Sequence, residues 1–221
     1  MPLSLTSPRV WILAFAIFCC LVNLSPATTL RPLNLQDLVD HSSRVFRGNC
    51  LSQVQGVDQR GLPYTAYTFR VEEVLAGQVD GPTITIRQFG LSGQAPVQAG
   101  RNQIRIAAMP HYQPGQSYLL FLPEDSRWGF ASPVGLLQGA FRVLGKGESQ
   151  IAVNGVGNLN LTLDTSQTPQ QRLQERRSQA RTVSQGPVTY SSLRQVVLRL
   201  SSGQRMPISE MARALRRGGR Q

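Results

Sequence analysis

From Val45 onward the chain alternates apolar and polar residues with a period of two. In Val45–Val54, Phe46, Gly48 and Cys50 fall on one side and Arg47 and Asn49 on the other. That is the pattern of a half-buried strand, because successive side chains of a strand point to opposite faces. Residues 55–61 supply a polar turn. Tyr64–Val71 alternates again, with Tyr67, Phe69 and Val71 inward and Thr68, Arg70 and Glu72 outward. Val74 then follows Val71 by three positions, which a bulge at Glu72 and Glu73 repairs by letting the strand coil. Further strands are predicted over Thr83–Phe89, Ser117–Leu122, Trp128–Ser132, Ala140–Leu144 and Gln150–Val153, with a short helix over Leu35–Asp40 before the first. Many short strands with few helices between them indicate a mainly β protein, an antiparallel barrel or sandwich rather than βαβ units.

The periodicity changes near the C-terminus. Ser192 and Gln195 make a capping-box pattern, and Leu193, Val196, Val197 and Leu200 follow at i, i+3, i+4 and i+7 with Arg194 and Arg199 turned away. After Pro207 the pattern recurs: Ile208, Met211, Ala212 and Leu215 line one face and Arg213, Arg216 and Arg217 crowd the other. Thr168–Arg181 has only Leu173 and Ala180 as apolar residues and reads as a linker or a solvated helix. The charge follows this division. Residues 28–167 hold 11 basic and 10 acidic side chains, whereas residues 168–221 hold 11 Arg and 2 Glu, so most of the formal net charge of +11 sits in the tail.

At the other end, Val10–Val22 is an unbroken apolar run preceded by Arg9 and followed by Asn23, Leu24, Ser25, Pro26 and Ala27. Thirteen residues of helix span only about 20 Å, short of a bilayer core of roughly 30 Å. The order of charge, apolar run and small residues is that of a secretory signal peptide. The expected organisation is a leader over residues 1–27 cleaved after Ala27, a β domain over 28–167 and an Arg-rich tail over 168–221. The expected location is periplasmic or extracellular. Of the three cysteines, Cys19 and Cys20 lie in the leader, so the mature chain keeps Cys50 alone and no internal disulfide is available.

Three segments carry a resemblance: Arg44-Val45-Phe46-Arg47-Gly48-Asn49-Cys50, the run from Tyr64 to Gly77, and Gly115-Gln116-Ser117-Tyr118-Leu119-Leu120-Phe121. Over roughly residues 35–145 their order resembles netrin-type modules, the OB-fold barrels that include tissue inhibitors of metalloproteinases, and is similar to small exported bacterial proteins. The resemblance implies a small antiparallel OB-like barrel with a short N-terminal helix and a cationic helical C-terminal tail, serving as a binding module rather than an enzyme. It does not carry the protease-inhibiting mode, which uses an amino-terminal cysteine; the expected mature terminus here is Thr28.

Candidate chemistry is sparse. His41 and His111 are the only histidines, which excludes a three-His zinc site. Glu72 and Glu73 are adjacent, the wrong arrangement for paired catalytic carboxylates outside a bulge. Gly90-Leu91-Ser92-Gly93 lacks the nucleophile-elbow spacing, and Gly155-Val156-Gly157-Asn158-Leu159-Asn160 has Asn at the third glycine position of a dinucleotide fingerprint. No catalytic, metal or cofactor residue is assigned. Asn160-Leu161-Thr162 is a glycosylation sequon, meaningful only in a eukaryotic secretory pathway.

The connection Gly90–Gly115 is long for a loop between strands, and such loops are often functional. It supplies Arg101, Arg105, His111 and Tyr112 as candidate partner contacts, with Trp128 and Phe130 as neighbours. The reading is an exported non-enzymatic binding module for a protein or envelope component. Alternatives are a hydrolase with an unrecognised site, and peripheral contact with an anionic membrane surface through Arg194, Arg199, Arg213, Arg216 and Arg217. A nucleic-acid binder through the same Arg-rich tail is the remaining alternative, against which export and the lack of aromatics interleaved with these arginines argue.

Overall fold

The computed structural model describes residues 31–92, 106, 108–164 and 186–217. The predicted leader with its cleavage site, the stretch Thr168–Arg181 read as a linker or solvated helix, Arg101, Arg105 and the side chain of Arg217 lie outside the described residues.

The chain is mainly β. A six-residue helix, α1 (Leu35–Asp40), leads into β1 (Arg44–Val57), β2 (Pro63–Ala76), β3 (Thr83–Phe89), β4 (Ser117–Leu122), β5 (Ala140–Leu144), β6 (Ile151–Asn154) and β7 (Val188–Thr189), followed by α2 (Tyr190–Ser201) and α3 (Ile208–Arg217). The strands form one antiparallel sheet in the order β3-β2-β1-β4-β5-β6-β7. The bulge expected from the spacing of Val71 and Val74 is present: Arg47 pairs with Glu73 and Gly48 with Val71, leaving Glu72 as the extra residue. A second irregularity leaves Leu51 unpaired between the Cys50–Phe69 and Ser52–Thr68 rows.

Two expectations are corrected. The sheet is not closed into a barrel. β5 gives its second side to β6, and β6 pairs with β7, so the sheet grows away from β3 instead of returning to it. On its free side β3 meets a loop, where the Ala131 N–H donates to the Arg87 carbonyl at 2.9 Å. Nor is Trp128–Ser132 a strand. Gly129 takes φ +72°, the left-handed region that glycine adopts without cost, and its N–H donates to the Ser126 carbonyl, so Trp128 and Phe130 sit on a tight turn.

Both faces of the sheet are covered at its centre, and the burial of β4 shows why its sequence is one apolar run. Leu119 and Phe121 belong to one core with Val45, Phe141, Val143 and Ala152; Tyr118, Leu120 and Leu122 belong to the other with Phe46, Cys50, Tyr67, Phe69 and Ile86. The first core is roofed by the helices. Leu35 and Leu38 of α1, Leu193, Val196, Val197 and Leu200 of α2, and Met211 and Leu215 of α3 are all buried in it. The second core is closed by the loop before β4, which inserts Tyr112.

α1 is too short to persist alone. It is held by a capping box between Asn34 and Asp37 and by the Leu35 N–H, which donates to the Leu161 carbonyl at 3.0 Å. The would-be dinucleotide motif is a structural turn. The Asn154 and Asn158 side chains each accept the other's backbone N–H, at 2.7 and 2.9 Å respectively, and Asn158 Nδ2 donates to the carbonyls of Ala152 and Gly186.

α2 is tied to the bulge of β2. The Tyr190 hydroxyl donates to Glu73 Oε2 at 2.9 Å and Arg194 Nε donates to Glu73 Oε1 at 2.6 Å. The Arg47 guanidinium lies 4.6 Å from the centre of the Tyr190 ring and forms an ion pair with Glu72, Nε to Oε2 2.7 Å. Glu73→Ala removes both acceptors at once and is expected to cost about 1–2 kcal/mol in urea unfolding. Glu72→Ala, which breaks one partly exposed ion pair, is expected to cost less than about 1 kcal/mol.

Candidate binding groove

The helices cover only part of the sheet. On the same side, the far ends of β1, β2 and β3 lie beyond them, and the register puts Val54, Ala66 and Arg87 in one row across the three strands. There an open groove of about 630 Å³ is lined by Val57, Asp58, Gln59, Arg60, Tyr64, Ala66, Arg87 and Trp128. Asp58 and Arg60 come from the β1–β2 turn, Tyr64 and Ala66 from β2, Arg87 from β3, and Trp128 from the turn after β4.

Arg87 is the centre of this surface. Its guanidinium carbon lies 4.2 Å from the centroid of Tyr64 and 5.3 Å from that of Phe130. Phe130 in turn packs edge-on against Phe89 at 5.8 Å. Aromatic faces attract a cation electrostatically and hold its plane in place. At the rim, Arg127 stacks on Trp128, 4.7 Å from the ring centre. The Asp58 carboxylate organises the turn, accepting the N–H groups of Arg60 and Leu62, both at 2.9 Å. The Leu62 contact is the main cause that holds the Asp58 carboxyl below its ordinary range, and the charges of Arg60 and Arg87 add to it.

A second, smaller hollow of about 140 Å³ opens beside Thr65, Gln88, Gly90, Ser92, Met109 and His111. The Tyr67 hydroxyl and His111 Nδ1 are 3.1 Å apart there, and Gln88 Nε2 donates to the Tyr112 hydroxyl at 3.3 Å.

The sequence-derived candidates separate accordingly. Trp128 is exposed at the groove rim and Phe130 is buried beneath Arg87. His111 belongs to the smaller hollow, and Tyr112 is fully buried in the aromatic core. Arg194 is committed to Glu73, and Arg199 lies 3.7 Å from Glu210. Arg213 and Arg216 are exposed on α3. Tyr64, Arg60 and Arg87 were missed. Arg87 and Tyr64 are far apart in sequence and meet only through the strand register; the one available signal was an arginine inside the strand pattern Thr-Ile-Thr-Ile-Arg-Gln-Phe. Among the described residues no cluster of three or more His, Cys, Asp or Glu side chains could hold a metal ion, and no helix is long and apolar enough to cross a membrane.

Four tyrosines report on the cores. Burial pushes the Tyr112 phenol well above its ordinary value and raises those of Tyr67 and Tyr118. Burial, then the hydrogen bond to Glu73, raises Tyr190. A phenol with a raised folded pKa keeps its proton in the native state while the unfolded chain loses it at about pH 10, so unfolding releases protons. The stability contributed is complete below about pH 10 and falls as pH rises toward the folded values, by about 1.4 kcal/mol per pH unit for each such phenol. Melting temperature is therefore expected to fall from about pH 10 upward, with phenolate absorbance from these tyrosines appearing at the unfolding transition; ordinary titration without unfolding would contradict their burial.

No protein-family model matches the chain, and neither a curated protein nor a solved structure matches it. The site's own geometry is what bears on function.

Proposed function

We propose that the protein is an exported, non-enzymatic binding module that holds a protein or envelope component in the groove at the far end of β1, β2 and β3. The observation that carries this reading is Arg87, its guanidinium over the rings of Tyr64 and Phe130, in an open groove whose rim exposes Trp128. Trp, Tyr and Arg are the residue types that dominate binding energy at protein interfaces. The resemblance of residues 35–145 to netrin-type OB modules supports binding rather than catalysis, and the leader pattern supports export. The test is capture of a partner from an envelope extract by the full-length chain. A partner retained by the native protein and lost with Trp128→Ala supports the reading; retention unaffected by that change counts against it.

A second reading, adsorption to an anionic membrane surface, is favoured by the exposure of Arg213 and Arg216 on α3. Since Met211 and Leu215 are buried in the core, such adsorption would be electrostatic, without insertion of the helix. Binding to anionic vesicles that falls with salt and is lost in an Arg213→Gln, Arg216→Gln double variant supports it; no binding at low salt disposes of it.

A further inference from the structure

We infer that the groove takes an acidic segment of a partner protein, with a side-chain carboxylate of that segment held by the Arg87 guanidinium. The inference rests on the binding reading above and adds the chemistry of the ligand. Elsewhere in the molecule, Arg44 pairs with Asp125, Arg47 with Glu72, Arg194 with Glu73 and Arg205 with Asp40, while Arg70 and Arg142, which form no ion pair with a described carboxylate, are exposed on their strands. None of the described carboxylates forms an ion pair with Arg87, and its buried Nε has no hydrogen-bond partner among the described residues. Its guanidinium carbon nevertheless lies over the rings of Tyr64 and Phe130. A guanidinium offers its N–H donors in a fork geometry that matches a carboxylate. Within the groove lining Arg60 pairs with Asp58, the one carboxylate there, at 3.7 Å, which leaves Arg87 as the unbalanced cation, and Arg127 adds positive charge beside Trp128 at the rim.

Charge alone would suit any anion. The apolar component selects among them: Val54, Val57 and Trp128 are 58%, 53% and 44% exposed around the same row. A phosphate chain makes no use of such residues, whereas a peptide with apolar side chains beside its acidic ones covers them while the carboxylate meets Arg87. The bond from Ala131 to the Arg87 carbonyl occupies part of the free edge of β3. The segment is therefore read through its side chains rather than by strand addition.

The test uses a random-peptide display library selected on the immobilised full-length chain. Enriched sequences are expected to carry Asp or Glu next to Phe, Leu or Trp. A synthetic peptide from that pool should lose about tenfold or more in affinity when its acids become amides, and similarly against Arg87→Gln. Arg87→Lys, which keeps charge but not the fork, should recover only part of the loss. Should Arg87→Gln melt early, the exposed changes Arg60→Gln and Arg127→Gln serve instead, each expected to weaken binding about two- to fivefold. Enrichment of neutral peptides, equal affinity of acid and amide forms, or displacement by tripolyphosphate as effective as by the peptide would overturn the acidic-segment assignment. If envelope capture still depends on Trp128 in that case, the binding reading stands without it; if capture is also independent of Trp128, both fall.

Discussion

Tyr112→Ala is expected to destabilise the protein by about 3–5 kcal/mol, the range for truncating a large buried aromatic. Tyr112 is fully buried, and its ring centroid lies 4.8 Å from that of Tyr67, 5.2 Å from Phe69 and 5.0 Å from Tyr118, each in an edge-on arrangement. Such pairs contribute beyond the area they bury. The ring comes from the loop before β4 rather than from a strand, so its removal leaves a cavity in the second core. Tyr112→Phe keeps the ring and loses only the hydroxyl that accepts from Gln88, so its cost should be about 1 kcal/mol. Urea unfolding of the two variants separates the contributions. A loss below about 1 kcal/mol for Tyr112→Ala would mean that the loop does not close this core.

Leu193→Ala is the second large effect, at about 2–5 kcal/mol. Leu193 is fully buried in the core that α2 shares with Val45, Phe121 and Phe141. With the helices and the sheet in one core, the loss should appear as a shift of a single unfolding transition seen alike by helical and tertiary signals. Gln195→Ala, exposed on the same helix, should move it by less than about 0.5 kcal/mol. If instead helical signal melted early while the sheet's transition stayed in place, α2 and α3 would be an appendage, with their apolar faces free for a membrane.

What was readable in the sequence was local. β3, β4 and β5 have the predicted limits, because alternating runs, and in β4 a continuous apolar run, ended at residues such as Gly and Pro that favour turns. The bulge at Glu72 followed from a single three-residue step between apolar positions. The faces of α2 and α3 followed from i, i+3, i+4 spacing. What failed was non-local. Alternation shows that a strand has an inside but not which strand will lie beside it, and the pairing of β6 with Val188 and Thr189 across a long linker, which carries the sheet away from closure, left no trace in the pattern. Trp128 and Phe130 mimicked alternation on a turn that one glycine makes. The groove was half visible: Trp128 and Phe130 were candidates from the sequence, while Tyr64 and Arg87 came together only through the register Ala66–Arg87.

The groove's role is tested most directly by photo-crosslinking in an envelope extract, with a photoreactive amino acid placed at position 57 in the groove or at position 213 on α3. The expected result is a discrete partner adduct from position 57 that disappears in Arg87→Gln, with none from position 213. An adduct from position 213 alone would contradict the account and place the working surface on the cationic helix.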